Sequence, residues 1–364
     1  MDYMEQALSL AKLALGQASP NPAVGAVVVR EGVVVGQGYT QPPGSSHAEV
    51  IALKQAGEGA GGGVMYVTLE PCCHHGRTPP CAGAIISAGI REVHMAMLDP
   101  NPVVSGRGKD ELEKKGVKTY LGEREEEAKE INEAYTKFIT TGIPFVTAKF
   151  AVSLDGKIAT RKGDSRWISA REARKYVHCL RYITDAIMAG VNTMLVDDPH
   201  LTTRCSGGRG GTARKQPLRV IVDGEGRTPL TARVFKEPGE TLLALGRMAT
   251  PEEKVAFAQA GAEILELPTA EGLVDLEGLL RALGEREITS VLVEGGSILL
   301  GSLFDRRLVD KVIAFTAPII IGGAEAKTAV AGKGVDRVAD SFRLERVRVE
   351  KLGDDLMVSG YVAR

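Results

Sequence analysis

The spacing of apolar residues changes along the chain, and each change marks an element. Met4, Ala7, Leu8, Ala11 and Leu15 keep the i, i+3, i+4, i+7 spacing that lays one apolar stripe along a helix. "AVGAVVVREGVVVGQGY" follows, with two β-branched runs around Arg30-Glu31-Gly32, and predicts a hairpin. Residues 47–55 read as a helix, "VMYVTL" as a strand, "CAGAIISAG" as a helix, and "EVHMAM" and "VKTY" as strands. "EREEEAKEINEAYTKFIT" predicts one long amphipathic helix. Strands alternating with helices imply a layered α/β domain.

The helical pattern stops at Thr141-Gly142-Ile143-Pro144, where a glycine is followed by a proline. We place a domain boundary there, giving residues 1–143 and 144–364. "PFVTAKFAVSLDGKIAT" restarts the chain as a strand and its exit loop. Ser169, with Glu172 three residues on, has the form of a capping box. "DAIMAG", "LRVIVD", "TLLAL", "EILEL", "SVLVE" and "KVIAFTAP" are further short apolar strands, several separated by helical patterns, so the second half is also α/β. Residues 204–216 are rich in glycine and arginine and predict a mobile loop. No repeat links the two halves.

Composition narrows the function. A chain of 364 residues suits two domains at about 150 residues each. With 45 basic and 46 acidic residues the net charge is −1, which leaves no electrostatic footprint for nucleic acid or membrane surfaces. "MDYMEQALSL" lacks the basic start of a secretory leader. No uncharged apolar run approaches the roughly 20 residues of a membrane span. Five cysteines, three of them clustered, suit a cytoplasmic protein with a metal or catalytic site better than a disulfide scaffold.

The cluster is "PCCHHGRTPPC", residues 71–81, and "HAE" lies upstream at residues 47–49. His47, Cys72 and Cys81 offer one imidazole and two thiolates. That is the ligand count of a catalytic zinc site whose fourth position is open to water. The segments that carry these ligands read as helix starts, where partial positive charge favours thiolates. Glu49, two residues from His47, does not share its helix face. It is left to hold and move a proton, while zinc lowers the pKa of its water. His-x-Glu followed by Pro-Cys and a further Cys is the zinc-deaminase pattern, although eight residues rather than two separate the cysteines. The competing readings are a structural zinc site closed by His74 or His75, a redox pair, and a plain loop.

"PNPAVGAVVV", "HAEVIAL", "TLEPCCHHGRTPPC" and "DPNPVVSGRG" resemble the deaminase half of the bifunctional riboflavin-biosynthesis deaminase/reductase family. "KFAVSLDGKIAT", "SRWIS", "LVDDPHLTTR" and "VEGGSILLGSLF" resemble its reductase half, so the likeness covers essentially the whole chain. The resemblance implies a cytidine-deaminase-like α/β/α layered domain followed by a dihydrofolate-reductase-like α/β domain. It also implies two consecutive reactions. One is deamination of 2,5-diamino-6-ribosylamino-4(3H)-pyrimidinone 5′-phosphate. The other is reduction of the ribosyl group to ribityl with NADPH. By the same resemblance His47, Cys72 and Cys81 hold zinc and Glu49 is the proton donor. Cys73 stands where the family often has serine and is read as a non-ligand. His74 and Arg77 lie in the long insertion between ligands, and Arg77 suits a substrate phosphate. Asn21 and Asn101 are expected to meet the base or the ribose phosphate, with turn structure beside proline as the alternative.

No G-x-G-x-x-G follows a strand, so a Rossmann nucleotide site is not supported. "VEGGSILLGSLF" offers another phosphate cradle. A strand ends at Glu294, Gly295 and Gly296 admit close backbone approach, and a helix begins with free N–H groups. A purely structural turn is the competing reading. The resemblance assigns Ala151, Trp167, Thr193, Asp197, Gly224 and the turn Gly296, Ser297, Ile298, Leu299, Leu300, Gly301 and Ser302 to the cofactor. It assigns Ser165, Arg181, Leu201, Arg204 and Glu294 to the substrate. Arg181 and Arg204 suit a phosphate, and Lys149 is expected near the ribose. Arg181 as a helix C-terminal dipole partner and Trp167 as plain core are the alternatives. A nucleic-acid deaminase with an accessory nucleotide-binding domain is the rival function, and the balanced charge argues against it. The expected partner is a small phosphorylated pyrimidine, with no nucleic acid and no membrane, in a homo-oligomer.

Overall fold

The computed structural model describes residues 2–73, 79–204, 215–270 and 273–363. The chain divides into two compact units, Met1–Ile143 and Pro144–Arg364.

The first unit is built on a five-stranded sheet: β1 (Gly25–Arg30), β2 (Val33–Tyr39), β3 (Val64–Val67), β4 (Glu92–Met95) and β5 (Lys118–Leu121). Its order is β2-β1-β3-β4-β5, with β1 antiparallel to both neighbours and β3, β4 and β5 parallel. Glu31 and Gly32, at φ 50° and 77°, close the hairpin between β1 and β2. Two residues of positive φ give the turn a twist that matches the paired strands. Helix α1 (Tyr3–Ala14) buries the expected stripe, Met4, Ala7, Leu8 and Ala11, and adds Ala14; Leu15 falls just past its end. Helices α2 (Ala48–Ala56), α3 (Cys81–Ser87) and α4 (Arg107–Lys114) follow.

The long helix expected over residues 123–140 is two helices, α5 (Glu125–Ile131) and α6 (Glu133–Thr141). Asn132 separates them at φ −105° and ψ 19°. Its buried amide accepts the N–H of Ala23 at 2.8 Å and donates to the Ala23 carbonyl at 3.1 Å. A side chain that satisfies the backbone of a distant segment in this way outweighs helix continuity at one residue.

The second unit holds a nine-stranded sheet: β6 (Phe145–Ser153), β7 (Ala186–Gly190), β8 (Leu218–Asp223), β9 (Thr241–Leu245), β10 (Glu263–Glu266), β13 (Ser290–Glu294), β14 (Lys311–Ala317), β15 (Leu344–Leu352) and β16 (Asp355–Val362). A two-residue ribbon pairs β11 (Thr269–Ala270) with β12 (Leu273–Val274). The sheet order is β10-β9-β8-β7-β13-β6-β14-β16-β15. Every pair from β10 to β14 is parallel, and the two pairs made by β16 are antiparallel. The helices are α7 (Arg171–Ile183), α8 (Val191–Asp197), α9 (Pro251–Ala260), α10 (Leu276–Glu285) and α11 (Ser297–Asp305).

From β7 the chain steps outward to β10, then returns through β13 to the centre of the sheet. The carboxyl ends of β7 and β13 therefore flank the point where strand order reverses, which is where open α/β sheets take ligands. Two sequence expectations change here. Ser169 does not cap α7; Ala170 occupies that position, and its N–H donates to the Asp355 carboxylate at 2.6 Å. The β15–β16 hairpin was not among the expected elements: Arg346-Val347-Arg348-Val349 alternates and Gly353 turns at φ 66°, but β15 is exposed along almost its whole length. Among the described residues no helix is long and apolar enough to cross a membrane.

Candidate active sites

In the first unit, His47 is the N-cap of α2 and Cys81 is the first residue of α3. Cys72 lies on the loop after β3, where its Sγ accepts the Cys81 N–H at 3.3 Å. His47 Nδ1 lies 3.3 Å from Cys81 Sγ and 3.6 Å from Cys72 Sγ. The three donor atoms fall within 4.8 Å of one another, and among the described residues this is the group able to hold a metal. One nitrogen and two sulfurs at such separations fit zinc. Cys73 stands outside the group, half-buried. His74 and Arg77 lie outside the described residues.

The same groups perturb one another's protonation. The Cys72 thiol is held below its ordinary value, first by its bond from Cys81 and then by His47, against the cost of burial. The Cys81 thiol is pushed up by that same bond and by burial, so one sulfur holds the proton for the pair. The bond to Cys72 raises the His47 imidazole. Glu49 is buried on α2, and burial, followed by the Cys72 charge, pushes its carboxyl up to about 7. A carboxyl near neutrality can both accept and release a proton.

Sequence reasoning missed what carries the Cys72 loop. Buried Glu70 accepts three backbone N–H groups: Asp99 at 3.1 Å, Gly106 at 2.9 Å and Lys109 at 3.0 Å. Gly108 of α4 packs against the loop so closely that a Cβ there would meet the Pro71 carbonyl oxygen at 1.9 Å. The only sequence signal was the acid next to Pro71-Cys72. Asn101 forms a turn, its Oδ1 accepting the Val103 N–H at 3.0 Å. Asn21 is half-buried.

In the second unit, buried Glu294 ends β13 beside Lys149 of β6. Arg181 of α7 donates to its carboxylate from Nε at 2.5 Å and from Nη2 at 3.0 Å, and Lys149 Nζ lies at 3.5 Å. The remaining Arg181 nitrogen donates to the Thr202 carbonyl at 2.9 Å. Burial opposes ionisation of Glu294, but the Arg181 and Lys149 charges prevail and hold its carboxyl at about 2. The Arg181 fork, expected on a phosphate, is taken up by a carboxylate and a carbonyl.

Ser165 and Asp197 meet in a 3.0 Å hydrogen bond. Trp167 is not core: it is 71% exposed, with the Arg174 guanidinium 4.7 Å above its ring. Leu201 is buried in the apolar cluster with Ile187 and Ile221, at φ 48°, so only its backbone is left to meet a ligand. Arg204 is exposed, and Ala151 packs half-buried against the apolar cluster that includes Leu292 and Phe315. Residues 205–214, most of the glycine- and arginine-rich stretch, lie outside the described residues.

A cavity of ≈ 180 Å³ opens at the reversal point of the sheet. Gly224, Gly296, Ile298, Leu299 and Ser302 line it, together with Asn192, Glu225 and Arg227, which sequence reasoning did not single out. Gly295 and Gly296, at φ 94° and 86°, turn β13 into α11, whose N-terminus carries no side-chain cap. Thr193 borders the turn: a Cβ on Gly295 would come within 3.3 Å of its Oγ1. Free N–H groups facing a cavity fit the phosphates of a nucleotide cofactor. Leu300 and Gly301 are buried on the far side of α11; a Cβ on Gly301 would meet the Ala331 carbonyl at 2.1 Å, so these two serve packing.

Residues 144–358 match the RibD C-terminal domain family, and residues 1–97 match the cytidine and deoxycytidylate deaminase zinc-binding region. The riboflavin biosynthesis protein RibD of Aquifex aeolicus is 43% identical over 358 residues, covering 98% of this chain and 97% of that protein. The structure of Acinetobacter baumannii RibD superimposes with a TM-score of 0.89 at 36% identity, over 100% of this chain and 98% of the other. A Thermotoga maritima structure described as a diaminohydroxyphosphoribosylaminopyrimidine deaminase/5-amino-6-(5-phosphoribosylamino)uracil reductase gives 0.85 at 36% identity, over 99% and 98%.

Proposed function

Because the chain belongs to the RibD family of riboflavin biosynthesis proteins, and so is a zinc-dependent deaminase joined to an NADPH-dependent reductase, we propose the residues that carry each reaction. Residues 1–143 carry deamination of 2,5-diamino-6-ribosylamino-4(3H)-pyrimidinone 5′-phosphate. Residues 144–364 carry reduction of the product, 5-amino-6-(5-phosphoribosylamino)uracil, at its ribosyl group.

His47, Cys72 and Cys81 hold the zinc, which when bound lowers the pKa of water at its open position. Glu49 takes a proton from the attacking water and returns it to the departing amino group, which leaves as ammonia. Its carboxyl, near 7, suits both transfers at neutral pH. The helix starts at residues 48 and 81 favour the charged ligands.

In the reductase, NADPH supplies the hydride. The turn at Gly295-Gly296 and the first N–H groups of α11 receive its phosphates. Gly224 and Leu299 border the same cavity, and Thr193 backs the glycine turn. Glu294, kept ionised by Arg181 and Lys149, accepts from ribose hydroxyls, and Lys149 lies at the same place on the neighbouring strand. Arg204 and Arg77 serve the substrate phosphate. A homo-oligomer belongs to this reading, supported by the open edge of β15, where Val347 and Val349 stand exposed.

One observation carries the deaminase assignment: three soft donor atoms within 4.8 Å, with a buried carboxyl beside them that is not one of the group. The test combines zinc analysis of the purified chain with ammonia release and NADPH oxidation on the pyrimidine phosphate. One zinc per chain and both activities are expected. A chain that binds zinc but releases no ammonia from this substrate overturns the reading.

A further inference from the structure

Among the described residues, Arg227 is the one cationic side chain lining the cavity at the carboxyl ends of β7, β8 and β13. The loop that carries it is held from two directions. Buried Asp223 accepts the N–H of Glu225 at 3.2 Å and both the N–H and the hydroxyl of Thr228 at 2.7 Å. Arg247 donates from Nε to the Glu225 carbonyl at 3.1 Å. A loop fixed this way presents its side chains without further ordering on binding.

Two arginines therefore lie at this loop, and their charges differ in availability. Arg247 is committed: both of its terminal nitrogens meet the Glu253 carboxylate, at 2.8 Å and 2.6 Å. Arg227 makes a single contact, Nε to Glu225 Oε2 at 3.2 Å, between side chains 49% and 73% exposed. Exposed pairs of this kind contribute little and are readily exchanged for another anion. The α11 N-terminus across the cavity already provides for one set of phosphates. A second anionic group at the β8 edge would meet Arg227.

Resting on the assignment of this cavity to NADPH, we propose that Arg227 binds the 2′-phosphate that distinguishes NADPH from NADH, and that Glu225 releases Arg227 to it. A guanidinium fork matches a phosphate with two parallel hydrogen bonds. In the absence of that phosphate, Glu225 keeps Arg227 paired, so NADH gains nothing from either residue. Arg227 is then a specificity residue for cofactor binding, remote from the hydride.

The test is calorimetric titration of the full-length protein with NADPH and, separately, with NADH, so that the readout is binding rather than turnover. Arg227→Ala should weaken NADPH by roughly tenfold or more, the scale of one charge-assisted bond, and leave NADH unchanged. Arg227→Lys should recover part of the loss, since it keeps the charge without the fork. The wild-type preference for NADPH should also narrow with added salt, and that of Arg227→Ala should not. Equal weakening of both cofactors, or no change in either, overturns the proposal. Gly296→Val separates the two levels of the argument. If it weakens both cofactors while Arg227→Ala affects neither, the cavity is right and Arg227 is wrong. If Gly296→Val affects neither, the cavity assignment falls and takes the proposal with it.

Discussion

Arg181 grips Glu294 with both prongs of its guanidinium, at 2.5 Å and 3.0 Å, at the end of the central strand of the reductase unit. Removing Arg181 leaves buried Glu294 with Lys149, at 3.5 Å, as its one charged partner among the described residues, so the loss lies below the about 3–5 kcal/mol of a fully uncompensated buried charge. Arg181→Met should therefore lower the urea midpoint clearly at pH 7. The pH dependence has a definite sign. Glu294 ionises at about 2 in the folded protein, below its ordinary value. Its contribution is therefore complete above about pH 5 and declines as pH falls toward that lower value. The gap between wild type and Arg181→Met should shrink from pH 7 to pH 4. An equal gap at both would show that the pair does not stabilise through ionised Glu294.

Glu49→Gln should keep zinc and lose deamination by about 10²–10⁴-fold, the usual contribution of a positioned acid–base group. The amide cannot take a proton from water and return it. Reduction of separately supplied deaminated substrate should be unchanged. Normal ammonia release from a zinc-loaded variant would remove Glu49 from the mechanism.

The two adjacent cysteines should behave differently. Cys72→Ser should lose zinc on gel filtration, because Cys72 belongs to the donor group and Cys73 does not. Cys73→Ser should retain about one zinc per chain by elemental analysis. The reverse result would exchange the ligands.

Gly108 should matter to the metal without touching it. A Cβ at this position would lie 1.9 Å from the Pro71 carbonyl oxygen, so Gly108→Val must displace the loop that carries Cys72. Overpacking of this kind costs about 1–3 kcal/mol. Reduced zinc retention together with a lower thermal midpoint is expected. Full zinc occupancy with an unchanged midpoint would show that the loop yields freely.

Much of this was legible beforehand, for identifiable reasons. The α1 stripe and the β1–β2 hairpin follow from local periodicity and turn residues, which act over a few positions. The grouping of His47, Cys72 and Cys81 was legible because His-x-Glu and Pro-Cys state chemistry directly, and the glycine turn before α11 because two glycines follow a strand. The helix over residues 123–140 was misjudged because its break depends on Asn132 meeting Ala23, 109 residues away. The last hairpin was missed although Arg346-Val347-Arg348-Val349 alternates, because the strand buries neither face and its charged run reads as a solvated surface.

The amino-acid sequence by itself determined the order of most elements, the boundary region, the soft donor types of the first site and the presence of a glycine turn before α11. Each is written in neighbouring residues. Only the tertiary structure decided that Arg181 serves Glu294 across 113 residues, that Leu201 is core and Trp167 is not, and that Arg227 reaches the cavity. Those outcomes depend on which strand ends lie side by side, and β13 takes its place between β7 and β6 only when the whole sheet assembles.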